Sequence, residues 1–418
     1  MQGFAHTYFK RFSVSPDCIF ELPDFLPDAI VVIPICDEPH IASLVETLRL
    51  QSDSNYKLVV ICVINDAESH PGKVKEQNAL TYSELLQLSN GANTHCFRLN
   101  VMYTANLPRR EQGVGQARKT AMDEAVRIYN HYHMPAGIIV SLDADCHVST
   151  NYMQDVIGWF RVHSAMGFAT IRFEHPTRGN EFNDAVYEAV AAYELHLRYF
   201  RLGLQYAGYP HAIHTVGSCF ALRAQLYCKA GGMNRRQAGE DFYFLHKLTA
   251  ISPFGHILDA CVYPSPRVSC RVPFGTGPAI AETLKTGQQL SYSISLFDML
   301  QRFYATMGNF RTMNNHEVEA SISHIHPALS AFCRSVGFFD KLHQAKSNTA
   351  NAASFGKRMF QVFDAFMVIR FLNEASRHHA PLQAVELPAA ELLQRLKYNV
   401  PGNSVFDLLL AYRELEKA

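Results

Sequence analysis

Between Ala29 and Leu142 the chain alternates near-continuous apolar runs with stretches whose apolar residues return every three or four positions. Ala29–Ile35 and Leu58–Ile64 are rich in Val and Ile and read as buried strands. His95–Met102 and Ile138–Leu142 predict two more strands, the first with more polar interruptions. Ile41–Leu50, a stretch near Tyr82–Leu88, and Ala117–Tyr129 predict helices between them. Strands without alternation, separated by helices, indicate βαβ units: an α/β fold with a mainly parallel central sheet covered by helices on both faces. From Thr150 to about Phe274 the pattern is mixed, with a long helix at Glu181–Leu202 and glycine-rich segments near Gly217 and at Gly231-Gly232. From Thr283 onward it is mostly helical, with Phe360, Phe363, Met367 and Phe371 at helical spacing as a packing stripe and Ser347–Ser354 as a polar linker. The expected organisation is an N-terminal segment (1–27), an α/β domain (28–280) and a helical C-terminal region (281–418). No internal repeat is visible.

The polar residues worth attention fall just past the apolar strands. In open parallel sheets ligands bind beyond the strands' carboxyl ends. The first strand contains Pro34 and leads to Asp37-Glu38, an acid pair suited to ribose hydroxyls or a base, or simply to a helix N-terminus. The second leads to Asn65-Asp66, where Asp66 can accept from the imide N–H of a base. The fourth leads to Asp143-Ala144-Asp145. Carboxylates one residue apart on extended backbone point the same way and repel unless a cation lies between them. A divalent ion carrying a phosphate-bearing ligand meets that need.

Three more constellations lie elsewhere. Gly113-Val114-Gly115 opens a helix with Arg118 and Lys119 in its first turns, an arrangement that suits a diphosphate. Glu240-Asp241 precedes an aromatic helix and supplies a carboxylate able to take a proton from a hydroxyl. Arg267 and Arg271 flank a loop that ends in Gly275-Thr276-Gly277, a phosphate cradle or a turn with two surface arginines. His211, His214 and His256 are candidates for a third metal ligand.

In this order the pieces resemble the family-2 glycosyltransferases of the GT-A fold. The family pattern of Pro-x-x-Asn-Glu, Asp-Asp, D-x-D and Glu-Asp reads here as Pro34 to Glu38, Asn65-Asp66, Asp143 to Asp145 and Glu240-Asp241. The resemblance covers about residues 28–280. Asp37 stands where asparagine is usual, and Asn65 where the first aspartate is usual. The resemblance implies a GT-A-like, Rossmann-like sheet and a nucleotide-diphospho-sugar donor, UDP- or GDP-linked. Asp143 and Asp145 would hold Mg²⁺ or Mn²⁺. Pro34, Asp37, Glu38, Asp66, Arg118, Lys119, Asp143, Ala144, Arg267 and Arg271 would line the donor. Asp241 would act as general base on an acceptor hydroxyl with inversion, and Glu240 would orient that acceptor. The acceptor itself, whether saccharide, lipid-linked or small molecule, is not indicated. A sugar-phosphate nucleotidyltransferase is an alternative, though Met1 to Pro27 lacks the Gly-rich basic signature it would need. A non-catalytic binding protein on a degenerate domain of this kind is another.

Bulk properties narrow the partners. Lys plus Arg and Asp plus Glu are both 38, so no basic field favours nucleic acid. Ten cysteines without a C-x-x-C pair fit a reducing, cytoplasmic setting better than secretion. No signal peptide and no apolar run of membrane-spanning length is seen, which leaves peripheral membrane association through the helical tail open.

Overall fold

A computed structural model describes residues 3–14, 19–53, 55–108, 111–235, 239–269 and 275–417. The chain divides into two compact units. The first comprises 1–176 and 215–278, the second 177–214 and 279–418. Residues 177–214 thus belong with the helical region, although they lie inside the 28–280 stretch expected as one domain. The reason is the long helix Asp184–Tyr206, which packs against the helices Ile294–Met307, Glu386–Arg395 and Val405–Lys417.

The first unit is built on an eight-stranded sheet. Its strands are β1 (Ala29–Ile35), β2 (Leu58–Ala67), β3 (Phe97–Leu107), β4 (Ile138–Ser141), β5 (Cys146–Val148), β6 (Phe168–Phe173), β7 (Phe220–Arg223) and β8 (Phe254–Pro264). The spatial order is β3-β2-β1-β4-β7-β6-β8-β5. β3, β2, β1 and β4 run parallel, and so do β6 and β8, while β7 and β5 run antiparallel to their neighbours. This is the expected mainly parallel α/β class. Every residue of β1 and β2 is buried, the mark of strands covered on both faces. Helices Gly72–Ala92 and Val114–His131 supply cover for β2, and the second also packs on β1.

β3 runs five residues beyond the expected end at Met102, to Leu107. It is the edge strand of the sheet, so its polar outer half needs no second apolar neighbour. Strand register brings the candidate turns together. Ile35 lies opposite Ile64 and Val32 opposite Ser141, so the ends of β1, β2 and β4 open on one edge of the sheet. The turns at Asp37-Glu38 and Asp143 leave from that edge, whereas Asp66, expected just past the second strand, lies within the last residues of β2.

The N-terminal segment is part of this unit. Helix His6–Phe12 inserts Tyr8, whose hydroxyl donates to Asp123 Oδ1 at 2.6 Å. Tyr227 OH donates to the same oxygen at 2.7 Å, and Lys119 Nζ lies 3.3 Å from it. The backbone N–H of Val14 donates to Asp123 Oδ2 at 2.8 Å.

The second unit is helical apart from the short pair Leu290–Ser291 and Gln383–Ala384. The expected stripe from Phe360 to Phe371 is divided among helix Ala352–Val362, the turn at Phe363 and helix Ala365–His378. Asp364 separates them because its side chain accepts from the Met367 N–H at 3.0 Å and caps the second helix. Phe363 and Phe371 are buried, as a packing role requires. Among the described residues no helix is long and apolar enough to cross a membrane.

Candidate active site

The Asp37-Glu38 turn is fixed by the helix expected near Tyr82–Leu88, which begins earlier, at Gly72. Helix Gly72–Ala92 buries Asn78 and Thr81. Asn78 Oδ1 accepts from the Asp37 N–H at 2.8 Å, and Thr81 Oγ1 donates to the Glu38 carbonyl at 2.9 Å. Asp37 itself has φ 56°, a left-handed conformation that aspartate tolerates better than most residues. The spacing of Asn78, Thr81 and Leu85, one buried helix face with two polar members, was the available signal.

Asp66 sits in an irregularity of the β2–β3 ladder, where register shifts between Asn65 and Ala67. Its carboxylate is buried and accepts from Tyr103 OH and from the Asn106 N–H, the latter at 2.7 Å. Both oxygens are therefore engaged within the fold. Asn65 explains its own departure from aspartate: its amide donates to the Gly113 carbonyl at 2.9 Å, which a carboxylate cannot do. Gly113 has φ 104° and begins helix Val114–His131, as the Gly-x-Gly reading expected.

Arg118 lies one turn into that helix and is 1% exposed. Its guanidinium joins two motifs that are far apart in sequence. Nη2 donates to Asp143 Oδ1 at 2.5 Å, and Nη1 donates to Glu240. Burial works against its charge, but Asp143, Glu240 and Asp241 outweigh it and hold its pKa above the usual arginine value. Lys119, the next residue, faces elsewhere. Its ammonium is buried against Tyr8 OH at 2.6 Å and Asp123, and burial depresses its pKa. The pair expected to act together on a diphosphate is thus split, because adjacent helical residues point about 100° apart.

Arg267, just past β8, forms the second node. One nitrogen, Nη2, contacts Glu38 and lies 2.9 Å from Asp145 Oδ2. Each aspartate of the D-x-D is therefore beside a different arginine. Ala144 between them is buried. Pro34 is buried within β1. Arg271 lies outside the described residues.

Glu240 and Asp241 open helix Glu240–Thr249 after Gly239, whose φ is 68°. Asp241 Oδ1 accepts from the Phe242 N–H at 2.7 Å. Burial, followed by the neighbouring Glu240, raises the Asp241 pKa to about 7, against the pull of Arg118. A half-buried carboxyl that titrates near neutrality can exchange a proton at working pH.

The histidines have other tasks. His256 Nδ1 pairs with Thr170 Oγ1 at 2.7 Å across β6 and β8. His214 Nε2 lies 2.8 Å from Glu416 Oε1 within the second unit, and His211 stands edge-on to Tyr209 in the same unit. Among the described residues no group of three or more His, Cys, Asp or Glu is placed to hold a metal, so the three histidines find no such cluster to complete. Asp143 and Asp145, each beside an arginine, supply two carboxylates, a number compatible with Mg²⁺ when phosphate and water complete its ligands.

Gly217 forms a wall of the Arg118 seat. A Cβ there would lie 2.9 Å from Nη2 and 3.1 Å from Nη1. The guanidinium is held by two carboxylates and cannot turn aside freely. Gly217→Ala is expected to destabilise the chain by about 1–3 kcal/mol in urea unfolding. Gly72→Ala, at an open helix start, should change stability by less than about 0.5 kcal/mol. Equal behaviour of the two variants would remove the packing argument.

No family model and no curated protein matches this sequence. Among solved structures, residues 1–349 of S. aureus TarS are similar at 12% identity and a TM-score of 0.37, covering 81% of this chain and 90% of that one. The same fragment in complex with UDP-GlcNAc gives 13% identity and a TM-score of 0.40, covering 81% and 91%. The complex with UDP gives 12% and 0.39, with the same coverage. Likeness this distant carries neither a residue nor a ligand across.

Proposed function

We propose that this chain is a glycosyltransferase that moves a sugar from a nucleotide-diphospho-sugar to an acceptor hydroxyl. The observation that carries the reading is the convergence on Arg118. One buried guanidinium joins the D-x-D aspartate Asp143 to Glu240, next to an Asp241 carboxyl whose pKa is raised to about 7. That geometry brings a carboxylate pair able to anchor a diphosphate-bound cation beside a group able to take a hydroxyl proton.

In this reading the Asp37-Glu38 turn, pinned by Asn78 and Thr81, receives the nucleoside. Asp66 ties the ends of β2 and β3 together through Asn106 and leaves the base contact to others. Asp143 and Asp145 would hold the cation. Bound Mg²⁺ or Mn²⁺ supplies charge neutralisation for the departing nucleoside diphosphate. Arg267 adds to that neutralisation. Lys119 is left out, since its hydrogen bonds are directed to Tyr8 and Asp123. Asp241 takes the proton from the acceptor hydroxyl as its oxygen attacks the anomeric carbon on the face opposite the leaving group, and Glu240 orients the acceptor. The sugar's configuration inverts.

A thermal-shift series with UDP, GDP and their sugar conjugates, with and without Mn²⁺, tests the reading. One nucleoside diphosphate should stabilise the chain in a Mn²⁺-dependent way, by about 2.7 kcal/mol at a hundredfold excess over Kd. Stabilisation by none of them would sink the proposal. Release of pyrophosphate from a nucleoside triphosphate would replace it with nucleotidyl transfer.

A further inference from the structure

We propose that Arg267 holds the place of the divalent cation in the nucleotide-free chain and yields it when a diphosphate arrives. The inference rests on the reading of this site as one for a metal-bound nucleoside diphosphate. Its basis is a single atom: Arg267 Nη2 contacts Glu38 and stands 2.9 Å from Asp145 Oδ2. A Mg²⁺ or Mn²⁺ ligated by Asp145 would lie about 2.1 Å from a carboxylate oxygen. A guanidinium nitrogen and a divalent ion on the same Asp145 Oδ2 repel at contact distance in a partly dehydrated site, so the ion is disfavoured at that oxygen while Arg267 stays.

The two arginine nodes differ in which can leave. The Arg118 side chain is 2% exposed, is held by Asp143 and Glu240, and is walled by Gly217. It is the fixed node. The Arg267 side chain is 24% exposed, its partner Asp145 26%, and it lies outside the regular strand after Pro264. It can turn toward solvent without opening the core. A diphosphate offers it a bidentate, doubly charged partner, which guanidinium groups prefer to a single carboxylate oxygen. Its departure removes a positive charge from beside Glu38 and Asp145 at the moment a cation is brought in by the same diphosphate. Until then the arginine offsets part of their charge, and a free metal ion without nucleotide is disfavoured. Donor and metal enter as a unit, which is a coupling between two ligands.

The test is Mn²⁺ binding to the nucleotide-free full-length chain, measured by electron paramagnetic resonance of the unbound ion. Arg267→Gln should bind Mn²⁺ at least tenfold more tightly than the parent. Arg267→Lys, which keeps the charge, should stay within threefold of the parent and guards against a folding defect in the first variant. Adding Asp145→Asn to Arg267→Gln should abolish the gain, tying it to that carboxylate. Unchanged or weaker Mn²⁺ binding by a folded Arg267→Gln, with the parent still binding Mn²⁺ in the presence of nucleoside diphosphate, overturns the exchange alone. If the parent binds no Mn²⁺ even with nucleoside diphosphate, the metal site of the proposed function fails, and the exchange fails with it.

Discussion

Asp241→Asn is expected to lower sugar transfer by at least about a hundredfold while leaving nucleoside diphosphate affinity within about twofold. The amide keeps the hydrogen bond from the Phe242 N–H but cannot accept the acceptor's proton. Transfer by the parent should rise with pH through about 7, where burial and Glu240 place the Asp241 pKa, and the variant should lack that rise. The same residue makes a stability prediction of opposite sign. The folded pKa, about 7, is above the ordinary 3.8, so between those values the folded chain binds more protons than the unfolded one. Stability conferred by the neutral form is therefore lost as pH rises through that window. At pH 8 the parent carries a charged, half-buried carboxylate that asparagine does not. The variant should be more stable by something on the order of 2 kcal/mol at pH 8, and no more stable below pH 4. Urea unfolding at both values checks this. A variant with full turnover removes Asp241 from the base role, and one with no gain at pH 8 removes the burial argument.

Much of the first unit was legible because strand burial leaves a direct trace. A strand covered on both faces is expected to be apolar along most of its length, as β1 is throughout and β2 is from Leu58 to Ile64. A parallel order for these strands is enough to put Asp37, Asp66 and Asp143 on one edge. Partnership was not legible. Arg118 and Lys119 are adjacent and chemically alike, yet one joins Asp143 to Glu240 and the other lies under helix His6–Phe12. Helical phase separates them, and phase matters only once it is known which face meets the sheet. The role of Asn78 was hidden for a related reason: a polar residue on a buried helix face looks like a flaw in amphipathicity until its backbone partners are in view. The division of the chain was obscured because helix Asp184–Tyr206 leaves the first unit in mid-sequence and finds its apolar partners near the C-terminus. A stripe of side chains declares that a helix is buried without naming what buries it.

The same helix carries the second large effect, which concerns stability. Glu416→Gln should destabilise the chain by about 3 kcal/mol at pH 7. Glu416 lies near the end of helix Val405–Lys417 and accepts from Arg198 and, at 3.1 Å, from Arg201, with His214 Nε2 2.8 Å away. Arg198 is 1% exposed and shares Glu194 with the half-buried Arg413, so removing the Glu416 charge takes a carboxylate from a cluster of arginines centred on a buried one. Burial opposes the Glu416 charge, but His214, Arg198 and Arg201 outweigh it and lower its pKa from 4.5 to about 2. With the folded value depressed, the stabilisation is complete above about pH 4.5 and is lost as pH falls through about 2. The gap between parent and variant in urea unfolding should therefore narrow steadily across that window. Glu414→Gln, whose side chain is 63% exposed, weakens an exposed pair with Lys417 and should shift stability by less than about 0.5 kcal/mol. Equal losses from Glu414→Gln and Glu416→Gln would mean that the terminal helix is held by its apolar face, Leu408, Leu409 and Tyr412, and that the arginines find other partners.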